Sequence, residues 1–273
     1  MPRLQVTRLC SRTEILEATA SDDIPVSFHP ATERMIRIFQ QDPEIVPRTL
    51  LFFGPPGTGK SKTVADVASR SGLAVLTVRP SDLMSQWVGE SEKRFRQFFR
   101  AAKAARPCML FFDEADAIFC VRGGTSESEV MRRIKTEALL LLQAVVAECT
   151  GVTVAVATNM PWALDSAIAR RLEHHVFVAL PGDDLRQSIV EQTCRKLTRT
   201  QASVFASALD GCSCAEVVSA CRRFNLENSL TGLGTQTTTE ALLTSVGNAQ
   251  HRASTPAEVD RFIQWSGATA HTE

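Results

Sequence analysis

The sequence lacks a charge of its own: thirty basic residues balance thirty acidic ones over 273 positions. No overall field therefore marks the chain for nucleic acid or a membrane surface, and any charged function has to be local. Eight cysteines, at 10, 108, 120, 149, 194, 212, 214 and 221, lack the Cys-x-x-Cys pairing of a zinc site. Cys108, Cys149 and Cys194 lie inside apolar stretches and read as buried free thiols of a reducing compartment. A membrane span is missing too. The longest greasy segment, Ala138 to Ala147, is interrupted by Gln143 and is roughly half the ~20 residues a bilayer needs. No internal repeat is visible, and Gly232 to Thr239 is the only small-residue loop of note. Arg3, Arg8 and Arg12 precede the first acid, Glu14, but the stretch is too short for a transit peptide and reads as surface charge.

What is present is enough apolar material, 44% of residues, to bury a real core in one large or two small domains. Apolar runs of strand length at Thr49–Phe53, Ala74–Val78, Cys108–Phe112, Val152–Ala157 and His175–Val178 alternate with segments of helical period. Those helices begin near Gly59, Glu90 and Glu127, with a short one at Leu164–Ala169. The alternation predicts an α/β fold, a parallel sheet wrapped by helices. In the third helix Ile134, Ala138, Leu141 and Val145 keep the spacing of a buried stripe. After Leu180, Pro181, Gly182, Asp183 and Asp184 the strand runs stop, and helices are expected near 184–196, 201–208, 214–228, 238–246 and 256–265. The predicted division is a lead segment, 1–48, an α/β nucleotide-binding domain, 49–182, and an all-helical lid, 183–273.

Gly54, Gly59, Lys60 and Ser61 match G-x-x-x-x-G-K-[ST] immediately after an apolar strand. Glycines let such a loop curl so that its N–H groups face phosphate oxygens, and the helix that follows favours anions at its N-terminus. The stretch Gly54, Pro55, Pro56, Gly57, Thr58, Gly59, Lys60, Ser61 is thus a candidate ATP-binding loop, with Lys60 neutralising the β- and γ-phosphates and Ser61 holding Mg²⁺. Met109 to Phe112 is an apolar strand that delivers Asp113 and Glu114 at its carboxyl end, where α/β sheets place ligands. Asp113 is the candidate Mg²⁺ carboxylate, and Glu114 the candidate base that polarises the attacking water. Asn159 ends the fourth strand, placed to orient that water or touch the γ-phosphate. Eleven residues later Arg170 and Arg171 form a basic pair at a helix end.

Together these residues resemble the AAA ATPase family from about Leu50 to Leu180, more narrowly its meiotic clade of katanin, spastin, fidgetin and the sorting ATPase of the ESCRT pathway. The resemblance implies a P-loop NTPase core with a helical AAA lid, hydrolysis of ATP with Mg²⁺, and assembly as a homo- or hetero-hexameric ring. It implies that Arg170 and Arg171 project into a neighbour's site to stabilise transition-state charge. Gln86, Trp87 and Val88 are similar to the first pore loop, where an aromatic grips a threaded polypeptide through its apolar face. Glu127 and Glu129 resemble members of the second pore loop, in a segment that also reads as a capping box led by Ser126. Gln86 stands where the family carries lysine, which weakens attraction for acidic tails. Thr255 to Trp265 resembles the clade's C-terminal helix, with Phe262 and Trp265 as an apolar anchor at i, i+3.

Departures from the family fall on the adenine side. The acidic segment and glycine turn survive only as Asp22 to Val26, so residues 1–48 read as degenerate adenine-side elements. Cys214 replaces a glycine of the lid, and its side chain would crowd a backbone that otherwise approaches the base. No counterpart of the clade's adaptor domain is legible. The resemblance implies a ring that remodels or threads protein, either tubulin tails, as in microtubule severing by katanin, or ESCRT filament subunits. Charge balance and the short apolar runs add the expectation of no nucleic acid and no transmembrane segment, and the resemblance implies a cytoplasmic, cytoskeleton-associated location. A nucleotide-binding ring subunit with little turnover is the competing expectation.

Overall fold

A computed structural model of the chain describes residues 15–16, 30–40, 46–83, 90–120, 129–148, 151–231 and 254–270. Among the described residues six strands form one sheet: β1 (Ile15–Leu16), β2 (Thr49–Phe53), β3 (Ala74–Val78), β4 (Cys108–Phe112), β5 (Val152–Thr158) and β6 (His174–Phe177), in the order β1-β3-β4-β5-β2-β6. Every residue of β2, β4 and β5 is buried. Their unbroken apolar runs are what a sheet covered on both faces requires. β4 pairs in parallel with β3 and β5 in one register, so that Val78, Phe112 and Val156 lie side by side.

Five strands stand where the sequence predicts them, β6 one residue earlier and β5 one residue longer. The sixth, β1, was not expected: it pairs antiparallel with β3 at the sheet edge, and two residues are too few to leave a periodic signal. The helices described are α1 (Pro30–Phe39), α2 (Lys60–Arg70), α3 (Pro80–Leu83), α4 (Glu90–Ala104), α5 (Asp116–Phe119), α6 (Glu129–Glu148), α7 (Ser166–Ala169), α8 (Asp183–Thr193), α9 (Arg199–Ala208), α10 (Cys214–Thr231) and α11 (Pro256–Ala270). The helix expected at 238–246, the segment Asp22 to Val26 and Cys149 lie outside the described residues.

The chain folds as two compact units. The first takes in 38–51 and 64–174 and holds β3, β4, β5, α4 and α6. Its core joins Phe95, Phe99 and Ala102 of α4 to Ile134, Ala138, Leu142 and Val145 of α6 over the sheet. Leu142 is buried and Leu141 half-buried, and both line one small cavity with Ala138, Phe95, Phe99 and Val154. Phe95 stacks on Phe112 at 5.4 Å between ring centres, and Phe119 meets Phe112 edge-on at 5.6 Å. Arg96 joins the two helices by donating to both carboxylate oxygens of Glu137, with Nε to Oε2 at 2.9 Å. That guanidinium holds the Glu137 carboxyl below the usual range.

The second unit takes in 52–63 and 175–273. Its helical part closes over Leu185, Ile189, Val190, Phe205, Leu209, Val217 and Phe224, with the thiols of Cys194, Cys212 and Cys221 among them. Buried Arg186 ties this bundle together, donating to the carbonyls of Pro181 (2.8 Å) and Ala206 (3.2 Å) and to the carboxylates of Asp183 and Asp210. A buried guanidinium is tolerated because its donors are met by acceptors. Thr198 and Gln201 form a reciprocal capping box on α9. Phe262 and Trp265 of α11 anchor as their spacing predicts: Trp265 meets Phe53 edge-on at 4.6 Å, and Phe262 is buried with its ring 6.4 Å from Phe177.

Candidate functional site

The predicted site residues fall into both units. Gly54 to Ser61 lie in the second, and Asp113, Glu114, Asn159, Arg170 and Arg171 in the first.

Between β2 and α2 the backbone turns through three left-handed glycines, Gly54 (φ +152°), Gly57 (φ +74°) and Gly59 (φ +96°), a conformation that side chains disfavour. At Gly54 a Cβ would overlap the carbonyl oxygen of Val178, because β2 and the end of β6 approach closely there and Val178 N–H donates to Phe53 O at 2.8 Å. Thr58 Oγ1 donates to Pro55 O at 3.0 Å, which braces the curl from inside. The side chain of Lys60 is buried against the same loop, its Nζ donating to the carbonyls of Gly54 (2.9 Å) and Pro55 (2.8 Å). Thus an ammonium group, a helix N-terminus and a curled backbone converge, which is the chemistry that holds a polyphosphate. Ser61 is exposed on the first turn of α2.

The lid reaches this loop from within the same unit. Ser213 and Glu216 form a capping box at the start of α10: Ser213 N–H donates to Glu216 Oε2 at 2.6 Å, and Glu216 N–H to Ser213 Oγ at 3.4 Å. Ala215 N–H donates to Gly57 O at 3.0 Å. A Cβ on Gly57 would stand 2.8 Å from Ser213 Oγ. Ser213 and Glu216 keep the S-x-x-E spacing, but neither the box nor its contact with the phosphate loop was read from the sequence. Cys214 opens α10 half-buried, and burial pushes its thiol up to about 11.

In the first unit the ends of β4 and β5 carry the acids and the amide. Asp113 is half-buried, with its N–H donating to Val78 O at 3.1 Å. Glu114 is exposed and left-handed (φ +51°), and its N–H donates to Asp113 Oδ1 at 3.0 Å. A non-glycine residue in that region carries strain, which is commonest at functional sites. Ala115 N–H then donates to Ala157 O at 3.0 Å, so the turn after β4 is fixed to the end of β5. Asn159 follows β5, half-buried, its N–H donating to Asp116 Oδ2 at 3.1 Å. Asp116, third acid in Asp113-Glu114-Ala115-Asp116 and the acceptor of these bonds, is a residue that the sequence analysis did not single out.

The arginine pair is split by its surroundings. Arg170 is exposed at the end of α7, whereas Arg171 Nη1 donates back to Ala167 O at 2.7 Å. The Arg171 carbonyl accepts from Thr49 Oγ1 at 2.7 Å, and Asp165 caps α7 by accepting from Ala167 N–H at 2.9 Å. Gln86, Trp87, Val88 and Glu127 lie outside the described residues. Glu129 opens α6, with its side chain likewise outside them. No cluster of metal-binding side chains occurs among the described residues. No helix among them is long and apolar enough to cross a membrane.

Residues 50–180 match the model of the ATPase family associated with various cellular activities (AAA). The chain is 40% identical over 175 residues to vacuolar protein sorting-associated protein 4B of Mus musculus, an overlap covering 62% of this chain and 39% of that protein. It is 36% identical over 180 residues to the meiotic spindle formation protein mei-1 of Caenorhabditis elegans, covering 64% and 38%. The chain therefore spans about two fifths of the length of the curated relatives it matches. Among solved structures, the FIGL-1 AAA domain superposes with a TM-score of 0.74 at 25% identity over 97% of this chain and 98% of that one. The same domain in complex with ADP gives 0.73 at 26% identity, over 91% and 89%.

Proposed function

Residues 50–180 being an AAA ATPase domain, we propose that the protein hydrolyses Mg-ATP, assembles as a ring and uses the cycle to remodel or thread a protein substrate. The observation that carries this is the occurrence in one chain of a glycine-curled phosphate loop, Lys60 included, and, in the other unit, of a left-handed Glu114 at the end of an acid-bearing strand. In this reading the loop N–H groups and Lys60 bind the phosphates, while Ser61 and Asp113 hold the Mg²⁺ that accompanies ATP and offsets charge on its oxygens. Glu114 takes the proton of the attacking water. Asn159 faces the γ-phosphate and fixes that water, and Arg170 acts on a neighbour's nucleotide. Trp87 with Gln86 and Val88, and Glu127 with Glu129, line the substrate channel. The division into residues 49–182 and 183–273 belongs to the same proposal.

Purified protein given ATP and Mg²⁺ should turn it over, and Glu114→Gln should bind ATP, stop hydrolysis and accumulate as an ATP-held oligomer. No turnover by the unaltered protein, with no oligomer trapped by the variant, would sink the proposal.

For the substrate, microtubule severing of the katanin kind is the first specific reading, supported by similarity to a meiotic spindle formation protein. It brings a cytoplasmic, cytoskeleton-associated location with it. Disassembly of ESCRT filaments has equal support in the similarity to a vacuolar sorting protein. Binding of the Glu114→Gln protein to tubulin tail peptides, set beside acidic C-terminal filament peptides, decides between them.

A further inference from the structure

One side chain with no part in the mechanism above gathers the turn that carries Asn159. The Asp116 carboxylate accepts from Thr158 Oγ1, from Asn159 N–H at 3.1 Å and from Met160 N–H at 3.3 Å, with the Cys120 thiol 3.9 Å away. Thr158 Oγ1 in turn accepts from Met160 N–H at 3.0 Å, so the three residues after the core of β5 are closed into one hydrogen-bonded turn. Each of these groups is a donor, and a carboxylate, with an acceptor at both oxygens, suits them all. An amide would turn its NH₂ toward at least one of them. The same turn is held to the Glu114 turn by Ala115 N–H donating to Ala157 O at 3.0 Å. Four hydrogen bonds therefore cross between the strand ends that bear Glu114 and Asn159, and Asp116 accepts three of them.

We propose that Asp116 is a positioning residue for hydrolysis: by accepting from Thr158, Asn159 and Met160 it fixes the direction of the Asn159 side chain relative to Glu114. This rests on the reading of Asn159 as the group that faces the γ-phosphate. A displacement on the order of 1 Å in such a group costs about 10²-fold in rate, so a displaced Asn159 slows turnover without releasing nucleotide.

The test is a double-mutant cycle on the full chain with Asp116→Asn, Asn159→Ala and the pair. It measures kcat, KM for ATP, the ratio of affinities for ATPγS and ADP, and the melting temperature. Asp116→Asn is expected to lower kcat about 10- to 100-fold with KM within about threefold. It should also reduce the preference for ATPγS over ADP, and the pair should be no slower than Asn159→Ala alone. Thr158→Val, which removes one donor and keeps the shape, is expected to show a smaller loss in the same direction. An Asp116→Asn protein with unchanged kcat and unchanged nucleotide preference would overturn the idea, as would losses that multiply in the pair. Should Asp116→Asn not fold, unaltered kcat and preference in Thr158→Val overturn it equally. An Asn159→Ala protein as fast as the parent removes the premise itself, which separates failure of the Asn159 reading from failure of the positioning. In a parent without turnover, the nucleotide preference carries the same comparisons.

Discussion

Three glycines of the phosphate loop share a left-handed backbone but not a reason for being glycine. At Gly54 a Cβ would run into the Val178 carbonyl, whereas at Gly59 it would meet nothing within 4 Å. Gly59→Ala should therefore cost only the left-handed backbone, about 1–2 kcal/mol. Gly54→Ala adds an overlap with backbone that has no rotamer to escape into, about 1–3 kcal/mol more. Chemical denaturation of the two variants checks the order, and equal losses would show that the β2 and β6 segments can part. The loop was legible because phosphate chemistry restricts residue type at fixed spacing, so Gly54 to Ser61 announced themselves together with Asp113 and Glu114. Asp116 did not, since an acid that accepts from three consecutive residues at the end of β5 looks in sequence like any surface acid. Nor did the different surroundings of Arg170 and Arg171, which depend on where Ala167 O lies.

Two helix contacts turn the same reasoning into stability. α4 and α6 are joined across the first unit by Arg96 and Glu137, and the guanidinium holds the Glu137 carboxyl low. A lowered carboxyl stabilises the fold above its unfolded-state value and loses that contribution as pH falls through the folded one. Arg96 is about half exposed, so the pair contributes no more than about 1 kcal/mol at neutral pH. Arg96→Ala should therefore differ from the parent by that amount at pH 7, and the gap should close as pH drops below about 4. A gap constant with pH would assign the loss to packing of the Arg96 stem instead. α11 was readable from the i, i+3 spacing of Phe262 and Trp265, but its target was not. Trp265 lies against Phe53, the residue that leads into Gly54. Trp265→Ala should thus destabilise the second unit by about 2 kcal/mol or more. It should also weaken nucleotide binding, while Trp265→Phe keeps most of both. Calorimetry with ADP is the measurement, and unchanged ADP affinity in a destabilised Trp265→Ala protein would confine α11 to a scaffolding role.

The assembled molecule is where the arginine pair is decided. Arg170 is exposed at the end of α7, while Arg171 is committed to its own helix through Ala167 O. Arg170→Ala should therefore lose turnover at parental stability, whereas Arg171→Ala should lose stability as well, by about 1 kcal/mol for the one hydrogen bond. If Arg170 serves the nucleotide of a neighbouring subunit, two inactive proteins can complement each other. An Arg170→Ala subunit keeps its own phosphate loop and Glu114, and a Glu114→Gln subunit keeps its Arg170. Where the second sits beside the first in the right order around a ring, one complete site is rebuilt. Random mixing at equal amounts makes roughly a quarter of the interfaces of this kind, since a head-to-tail ring repeats one heterologous contact. Turnover should accordingly reappear on mixing, rise with total concentration as rings form, and vanish when either partner is in large excess. Within a single chain no such rescue is possible, because each variant lacks a group that its own site needs. Two silent proteins that stay silent together, at concentrations where both are seen to assemble, would place Arg170 on its own subunit's nucleotide or outside the reaction altogether.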